Sequence, residues 1–204
     1  MKPIHMLPHV IPHGAAARGA SGRRLNEMAP TLILNSDPIL HSFLELQAEE
    51  GLALARSSDI LELDCLPTGQ HFVAHYSCRG LVRERGGLVR EAASFHVGFF
   101  FGADYLRSVN PFEVLTLFGP PNTFHPNVAF GAPFICVGRI APGMPLVDLL
   151  YQVYEILTFQ RLTPRDDDAL NKEACRWARA NQGRFPIDPR PLKRRTLALE
   201  VEQA

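Results

Sequence analysis

Two stretches of the chain repeat their apolar residues at the spacing of a helix. The first begins at Ser36-Asp37-Pro38, where a capping side chain is followed by proline, and the second begins after Pro145. A third helix is predicted from Ala169 to about Asn181. The predicted buried faces are Ile39, Leu40, Phe43, Leu44 and Leu46 in the first helix, Leu146, Leu149, Leu150, Val153, Ile156 and Leu157 in the second, and Leu170, Ala174, Cys175, Trp177 and Ala178 in the third.

Four segments between the first two helices have the composition and the flanking turns of β-strands. They are residues 60–65, 71–76, 94–101 and 112–117. Short connections favour an antiparallel meander, and helices segregated from such a sheet define the α+β class. The expected fold is therefore α+β, with an N-terminal helix, a four-stranded antiparallel meander, a long irregular loop and C-terminal helices.

The pattern also predicts how the chain is divided. Residues 1–30 are expected to be a flexible N-terminal tail, because they are rich in glycine and alanine and lack an apolar period. Residues 31–186 form the predicted domain. Residues 187–204 form a basic C-terminal extension that can continue as a short helix and whose basic side chains are expected to be solvated. Within the domain, residues 118–144 are irregular, and loops of this length are usually functional.

Composition and charge narrow the class of protein. With 204 residues, 46% of them apolar and 21% charged, the chain can bury the core of one domain. Lys and Arg balance Asp and Glu at 21 each, so no nucleic-acid partner is expected. The chain contains no apolar run long enough to span a membrane, no secretory signal and no CxxC pair, so a reducing cytoplasmic location is expected.

Histidine spacing does not predict a metal site. His5, His9 and His13 recur every four residues, but the prolines between them forbid the helix that would bring them together. His71 and His75 share one face of a predicted strand but lie roughly 13 Å apart, too far for one metal ion.

The candidate chemistry lies in the irregular loop and in the segment that precedes the third helix. Cys136, flanked by Ile135 and Val137, is by itself typical of a buried packing cysteine. Asn127 is by itself an ordinary turn residue, and Asp166, Asp167 and Asp168 are by themselves candidates to cap the next helix. The remaining cysteines are expected to be packing residues: Cys65, Cys78 and Cys175.

Taken together, Phe124-His125-Pro126-Asn127-Val128 and Ile135-Cys136-Val137 resemble the HPN motif and active-site cysteine of ubiquitin-conjugating (E2) enzymes. Residues 94–117 are similar to the third and fourth strands of that family. Residues 146–170 are similar to its following helix and acidic loop. The resemblance covers about residues 35–186 and implies a UBC-like fold.

The resemblance also implies roles and partners. Cys136 would accept a ubiquitin-like modifier from an E1-like activating enzyme as a thioester and pass it to a lysine of a protein target. Asn127 would stabilise the oxyanion, while His125 and Pro126 support the loop. Asp168 would orient the incoming amine, with Asp167 as the second candidate. This chemistry needs no metal or bound cofactor, because the E1-like partner consumes the ATP.

Several departures from the eukaryotic family pattern indicate a divergent member. Cys136 follows Asn127 by nine positions, one more than usual, which requires either a bulged loop or a register shifted by one. Ala169 replaces a proline, no tryptophan follows the cysteine closely, and residues 105–110 lack the usual prolines. The first helix is acidic. These features fit bacterial-type members, some of which belong to antiphage operons with an E1-like protein, a modifier and a JAB-type peptidase.

Two other functional classes stay open. A catalytically inactive E2-variant or RWD-like module would bind a ubiquitin-like protein without forming a thioester, although such modules normally lose the cysteine. An unrelated cysteine hydrolase would combine Cys136 with His96 or His125 and with Asp168.

Overall fold

The computed structural model describes residues 37–194. These residues form four α-helices and six β-strands in one α+β arrangement, which confirms the predicted fold class. The elements are α1 (Pro38–Arg56), β1 (Leu61–Cys65), β2 (His71–Tyr76), β3 (Gly80–Arg83), β4 (Val89–Ala92), β5 (Phe95–Phe100), α2 (Pro111–Val114), β6 (Leu115–Gly119), α3 (Leu146–Leu157) and α4 (Lys172–Ala180). A single 3-10 turn, Gln182–Arg184, follows α4.

Helix α1 begins where the sequence predicts it. The Asp37 carboxylate accepts a hydrogen bond from the backbone N–H of Ile39 at 3.0 Å, and Pro38 occupies the first turn. The predicted buried face is only partly correct, because Ile39 and Leu46 are exposed. The buried face instead consists of Leu40, Leu44, Gln47, Gly51 and Leu54.

The main sheet has the strand order β1-β2-β5-β6, and every neighbouring pair is antiparallel. The predicted four-stranded meander is therefore confirmed. The predicted strand over residues 112–117 is wrong in its first half, because Pro111–Val114 forms α2. The Asn110 side chain accepts from the backbone N–H of Phe112 and Pro111 occupies the first turn, so helix-start chemistry prevails over the apolar alternation there.

Strands β3 and β4 form a separate antiparallel hairpin that the sequence analysis did not predict. Gly86 and Gly87 lie in its turn with φ values of 98° and 89°, a backbone region that favours glycine. On its other side, β3 is bonded to residues 122–124, which lead into the candidate site.

The core lies between the sheet and α3. All six residues of the predicted α3 stripe are at most 2% exposed and pack in one cluster with inward side chains of the sheet, such as Phe72 and Val97. Helix α1 closes on this cluster through Gly51, where a Cβ atom would lie 2.8 Å from Leu63 and 2.9 Å from Leu146. The predicted helix after Pro145 is therefore confirmed in position and in buried face.

Helix α4 starts later than predicted. Asn171 is its N-cap, and its side chain accepts from the backbone N–H of Ala174 at 3.0 Å. Ala169 and Leu170 precede the helix, and Leu170 is exposed. Residues 166–168 do not cap α4, so the interpretation of these aspartates as its caps is wrong.

The segment after Pro186 packs on the domain as an irregular strap, defined here as residues 187–194. Leu192 is 1% exposed and belongs to the main core cluster. Asp188 accepts hydrogen bonds from the backbone N–H of Arg79 and from the Arg190 guanidinium. The short helix considered for this segment does not form in residues 187–194.

The predictions for the two ends of the chain fall outside the residues that the structure describes. The N-terminal tail with its three histidines, and residues 195–204, lie outside the described range. Between residues 37 and 194, no helix is long and apolar enough to cross a membrane.

Candidate functional site

Residues 127–136 form a small hairpin, called the cysteine hairpin below. Val128 and Ile135 make an antiparallel bridge, and the backbone N–H of Cys136 donates to the carbonyl of Asn127 at 2.8 Å. Asn127 and Cys136 are thus direct partners across the two arms. The length between them is taken up at the tip, where Gly131 has a φ of 76°. The nine-residue spacing is therefore accommodated by the tip.

The Asn127 carboxamide ties the cysteine hairpin to a second loop. Its Nδ2 donates to the backbone carbonyl of Cys136 at 2.9 Å. Its Oδ1 accepts from the backbone N–H of Thr163 at 2.8 Å, in the loop that follows α3. The side chain is buried, so both bonds are sheltered from water. One carboxamide therefore fixes the relative position of both loops.

His125 is a supporting residue inside the same turn. Its side chain is 1% exposed, and Nδ1 accepts from the backbone N–H of Asn127 at 3.0 Å. Burial lowers the pKa of His125 to about 3, against an opposing contribution from the Arg161 backbone carbonyl. The Arg161 carbonyl is the backbone group that acts on the imidazole, but it does not meet hydrogen-bond geometry with Nε2, which has no partner within the described residues. The imidazole is therefore neutral near pH 7 and is bonded within the loop.

Pro126 lies between these two residues and is also buried. Its carbonyl accepts from the backbone N–H of Asn171, the N-cap of α4, at 3.1 Å. The His125-Pro126-Asn127 turn therefore contacts three parts of the fold: the cysteine hairpin, the loop after α3 and the start of α4.

Cys136 faces partly outward, unlike its neighbours. Ile135 and Val137 are buried, whereas Cys136 is of intermediate exposure, because side chains alternate along the extended arm. The thiol is therefore accessible in part, which does not fit a fully buried packing cysteine. Of the other cysteines, Cys78 and Cys175 are buried as predicted, but Cys65 is exposed, so the prediction of a packing role is wrong for it.

Aromatic side chains lie on this arm of the cysteine hairpin and next to it. Phe134, two residues before Cys136, stacks on Phe112 of α2 with ring centroids 4.5 Å apart. Phe112 and Phe130, the latter at the hairpin tip, are both exposed. The sequence analysis did not select these residues, because an exposed phenylalanine has no distinguishing pattern in the chain.

The acidic segment is joined to the site only through its loop. Asp166 pairs with Arg179 at 2.8 Å, and this hydrogen bond is the main cause that lowers the pKa of Asp166. Asp167 and Asp168 are exposed, and the nearest cation to Asp168 is Arg165 at 4.0 Å. Within the described residues, no hydrogen bond or ion pair joins either aspartate to Cys136 or Asn127.

The two histidines considered for a hydrolase triad make contacts with residues other than Cys136 and Asp168. His96, on β5, stacks against His75 on β2 with ring centroids 4.4 Å apart. His125 is bonded to the Asn127 backbone. Neither histidine hydrogen bonds Cys136 or Asp168 in the described part of the chain. Residues 37–194 also contain no group of three or more His, Cys, Asp or Glu side chains that could hold a metal ion.

Comparisons with known proteins give similarities to solved structures only. No family model and no curated protein matches the chain. One similar structure is described as a novel ubiquitin-conjugating enzyme, with 16% identity, 71% of this chain and 88% of that chain covered, and a TM-score of 0.48. Another is described as a "putative ubiquitin conjugating enzyme from Plasmodium yoelii", with 14% identity, 77% of this chain and 100% of that chain covered, and a TM-score of 0.47.

Proposed function

We propose that this chain is an E2-like conjugating enzyme with Cys136 as the thioester-forming residue. The observation that supports the proposal is the direct pairing of Asn127 with Cys136 across the cysteine hairpin, beside a partly exposed thiol. A carboxamide fixed next to the cysteine residue is a candidate donor to an oxyanion that forms on a thioester carbonyl. The order of elements, with a helix, an antiparallel meander, the loop and two further helices, agrees with a UBC-like fold.

The charging step exchanges one thioester for another. The Cys136 thiolate attacks the carbonyl carbon of the modifier's C-terminal residue, which is bound to a cysteine of an E1-like enzyme. A new bond forms between Cys136 Sγ and that carbon, and the E1 sulfur leaves and takes up the proton that Cys136 lost. The energetic difference between the two thioesters is small, so no cofactor is needed in this step.

The transfer step forms an amide bond. A neutral lysine amine attacks the thioester carbonyl, the tetrahedral oxyanion collapses, Cys136 leaves as the thiolate, and the nitrogen loses a proton to solvent. Asn127 Nδ2 carries two hydrogens, and its bond to the Cys136 carbonyl uses one of them. The second hydrogen is the donor that we assign to the oxyanion. His125 and Pro126 hold this carboxamide in place.

The exposed acidic segment supplies the groups proposed to receive the amine. Asp168 is assigned to orient the lysine, and Asp167 is the second candidate, since both carboxylates are exposed in the loop that Thr163 anchors to Asn127. A carboxylate there attracts the ammonium form and favours its alignment before the proton is lost.

The proposed partners are an E1-like activating enzyme, a ubiquitin-like modifier and a protein target. The outward face of α1 carries Glu45, Glu49 and Glu50, all exposed. An E1-like partner that binds this helix would therefore present basic residues. Such a partner fits a bacterial conjugation operon, including the antiphage kind, better than a eukaryotic pathway.

Intact mass under non-reducing conditions tests the proposal. The chain is incubated with an E1-like protein, a ubiquitin-like modifier that this protein activates, and ATP. We expect a mass gain equal to the modifier minus water, which is lost on adding thiol and absent in Cys136→Ala. Cys136→Ser should give a gain that resists thiol, because it forms an oxyester. Cys65→Ala is the matched control, since Cys65 is also accessible, and it should charge normally.

Two results would redirect the assignment. Charging of Cys136→Ala would exclude Cys136 as the carrier. No gain in the wild type, with an E1-like enzyme shown to be active, would favour the non-catalytic binding module.

A further inference from the structure

The C-terminal end of α3 contains an unusual backbone conformation. Phe159 has a φ of 58°, and among residues 37–194 it is the one non-glycine residue with a positive φ. Its N–H donates to the Ile156 carbonyl at 3.0 Å, and the N–H of Gln160 donates to the Glu155 carbonyl at 2.8 Å. These two bonds define a helix-terminating motif whose left-handed position is usually glycine. A bulky residue in this position is unfavourable, so its side chain must compensate.

The Phe159 ring lies against the candidate site. It is buried and meets the His125 ring edge to face, with centroids 4.4 Å apart and planes at 73°. The Phe185 ring also packs on Phe159, with centroids 5.1 Å apart. His125 in turn accepts the backbone N–H of Asn127. Two successive contacts therefore connect Phe159 through His125 to Asn127.

The loop that follows Phe159 also contacts Asn127 directly. Thr163, four residues after Phe159, donates its backbone N–H to Asn127 Oδ1 at 2.8 Å. The segment between these two residues thus contacts Asn127 from two directions. Glycine at position 159 would remove the backbone cost but leave one face of the His125 ring without a packing partner.

We infer that Phe159 is a positioning residue, whose ring holds His125 and thereby the Asn127 carboxamide in the geometry needed for transfer. The inference deepens the proposed function. Its effect on transfer rests on that function, whereas the effect of Phe159 on the geometry of His125 and Asn127 does not. The competing explanation is that Phe159 is a core residue with no specific effect on Asn127. Phe185 distinguishes the two, because it also packs on Phe159 but has no stacking contact with His125 in the described part of the chain.

The first experiment needs no partner protein. Nitrogen-15 NMR of the full chain, its Phe159→Leu variant and its Phe185→Leu variant reports the His125 tautomer and the Asn127 backbone amide. We expect Phe159→Leu to shift both sets of signals away from the wild type, while Phe185→Leu leaves them near it. Unchanged signals in Phe159→Leu, or equal shifts in the two variants, would overturn the inference.

The second experiment measures discharge of the preformed thioester to free lysine. A misplacement of about 1 Å costs on the order of 100-fold in rate, so Phe159→Leu should slow discharge about 10- to 100-fold. Charging should change less than about twofold. Phe185→Leu should match the wild type in both steps.

A double variant separates positioning from general destabilisation. If Phe159 acts through Asn127, then Phe159→Leu combined with Asn127→Ala should discharge no more slowly than Asn127→Ala alone. Multiplicative losses would overturn the inference. If the wild-type chain does not charge at all, the proposed function fails, and the NMR comparison still decides whether Phe159 positions His125 and Asn127.

Discussion

The Asn127 carboxamide holds Cys136 by its backbone and not by its sulfur. Nδ2 of Asn127 donates to the Cys136 carbonyl at 2.9 Å, and the N–H of Cys136 donates to the Asn127 carbonyl at 2.8 Å. These two hydrogen bonds join the residues, and no hydrogen bond to the Cys136 sulfur occurs among residues 37–194. Asn127 can then serve the fold and the chemistry at the same time, because one amide hydrogen is used and a second is left.

The proposed role of Asn127 in transfer, together with its hydrogen bonds in the fold, predicts a split effect of Asn127→Ala. The substitution removes two side-chain hydrogen bonds in a buried turn, so the free energy of unfolding should fall by about 1–3 kcal/mol. Discharge to lysine should slow by about 100- to 1,000-fold, as expected for loss of an oxyanion donor. Charging by the E1-like enzyme should change much less. Urea unfolding and single-turnover discharge measure the two effects separately.

Asn122→Ala provides the control for that split. Asn122 also donates its side-chain amide to a backbone carbonyl, that of Arg83 at 3.1 Å, but it lies in an exposed turn outside the cysteine hairpin. It should alter neither charging nor discharge. Equal losses of both steps in Asn127→Ala would assign Asn127 a folding role alone.

Local signals in the sequence were sufficient for the main elements. The start of α1 follows from Asp37 and Pro38, because capping depends only on neighbouring residues. The buried face of α3 could be predicted because its apolar residues repeat with helical periodicity and all face the same core. The hairpin of β3 and β4 had no such signal: Leu81 and Val82 of β3 are adjacent and both buried, so apolar and polar residues do not alternate there.

The assembly of the site could be predicted only in part. The resemblance to a known motif selected Asn127 and Cys136, and the structure pairs them. The bond from Thr163 to Asn127 joins residues 36 positions apart, and no pattern in the chain indicates it. The left-handed conformation of Phe159 is equally hidden, since propensity alone would place glycine there.

The burial of His125 predicts a specific dependence of stability on pH. A free histidine has a pKa near 6.5, whereas burial lowers the pKa of His125 to about 3 in the folded protein. Between these values the unfolded chain binds a proton that the folded protein excludes, so this residue makes stability fall as pH falls. From pH 6.5 to pH 5 the loss should be about 2 kcal/mol.

His125→Asn isolates this contribution. The asparagine oxygen can replace Nδ1 as acceptor for the Asn127 N–H, but it does not titrate. Urea unfolding at pH 7.5, 6 and 5 should therefore show the advantage of the wild type over His125→Asn shrinking as pH falls. His71→Asn, at an exposed position, serves as the comparison. A constant difference between wild type and His125→Asn would mean that the imidazole titrates normally in the fold.

The strap of residues 187–194 is predicted to be part of the folding unit. Leu192 is 1% exposed, so Leu192→Ala should lower the free energy of unfolding by about 2–5 kcal/mol. Ile187 lies in the same strap but is 53% exposed, and Ile187→Ala should change it by less than about 0.5 kcal/mol. Urea unfolding of both variants checks the contrast. Similar midpoints for Leu192→Ala and the wild type would place the domain boundary at residue 186, before the strap.

The last prediction concerns how α1 is joined to α3. Pro145 has no side-chain donor or acceptor for capping α3, and the buried Gln47 of α1 takes that role: its Oε1 accepts from the backbone N–H of Leu146 at 2.7 Å. Gln47→Met keeps the volume but leaves this N–H buried without a partner, so the free energy of unfolding should fall by about 1–3 kcal/mol.

Amide exchange of Leu146 should also accelerate in Gln47→Met, because the protected N–H loses its acceptor. Gln152→Met is the matched control, since within residues 37–194 the Gln152 side chain makes only one weak hydrogen bond, to the Met144 sulfur at 3.7 Å. Unchanged exchange at Leu146 in Gln47→Met would show that the two helices are held by apolar packing alone. Faster exchange there, with normal exchange in the control, would establish Gln47 as the cap of α3 supplied by α1.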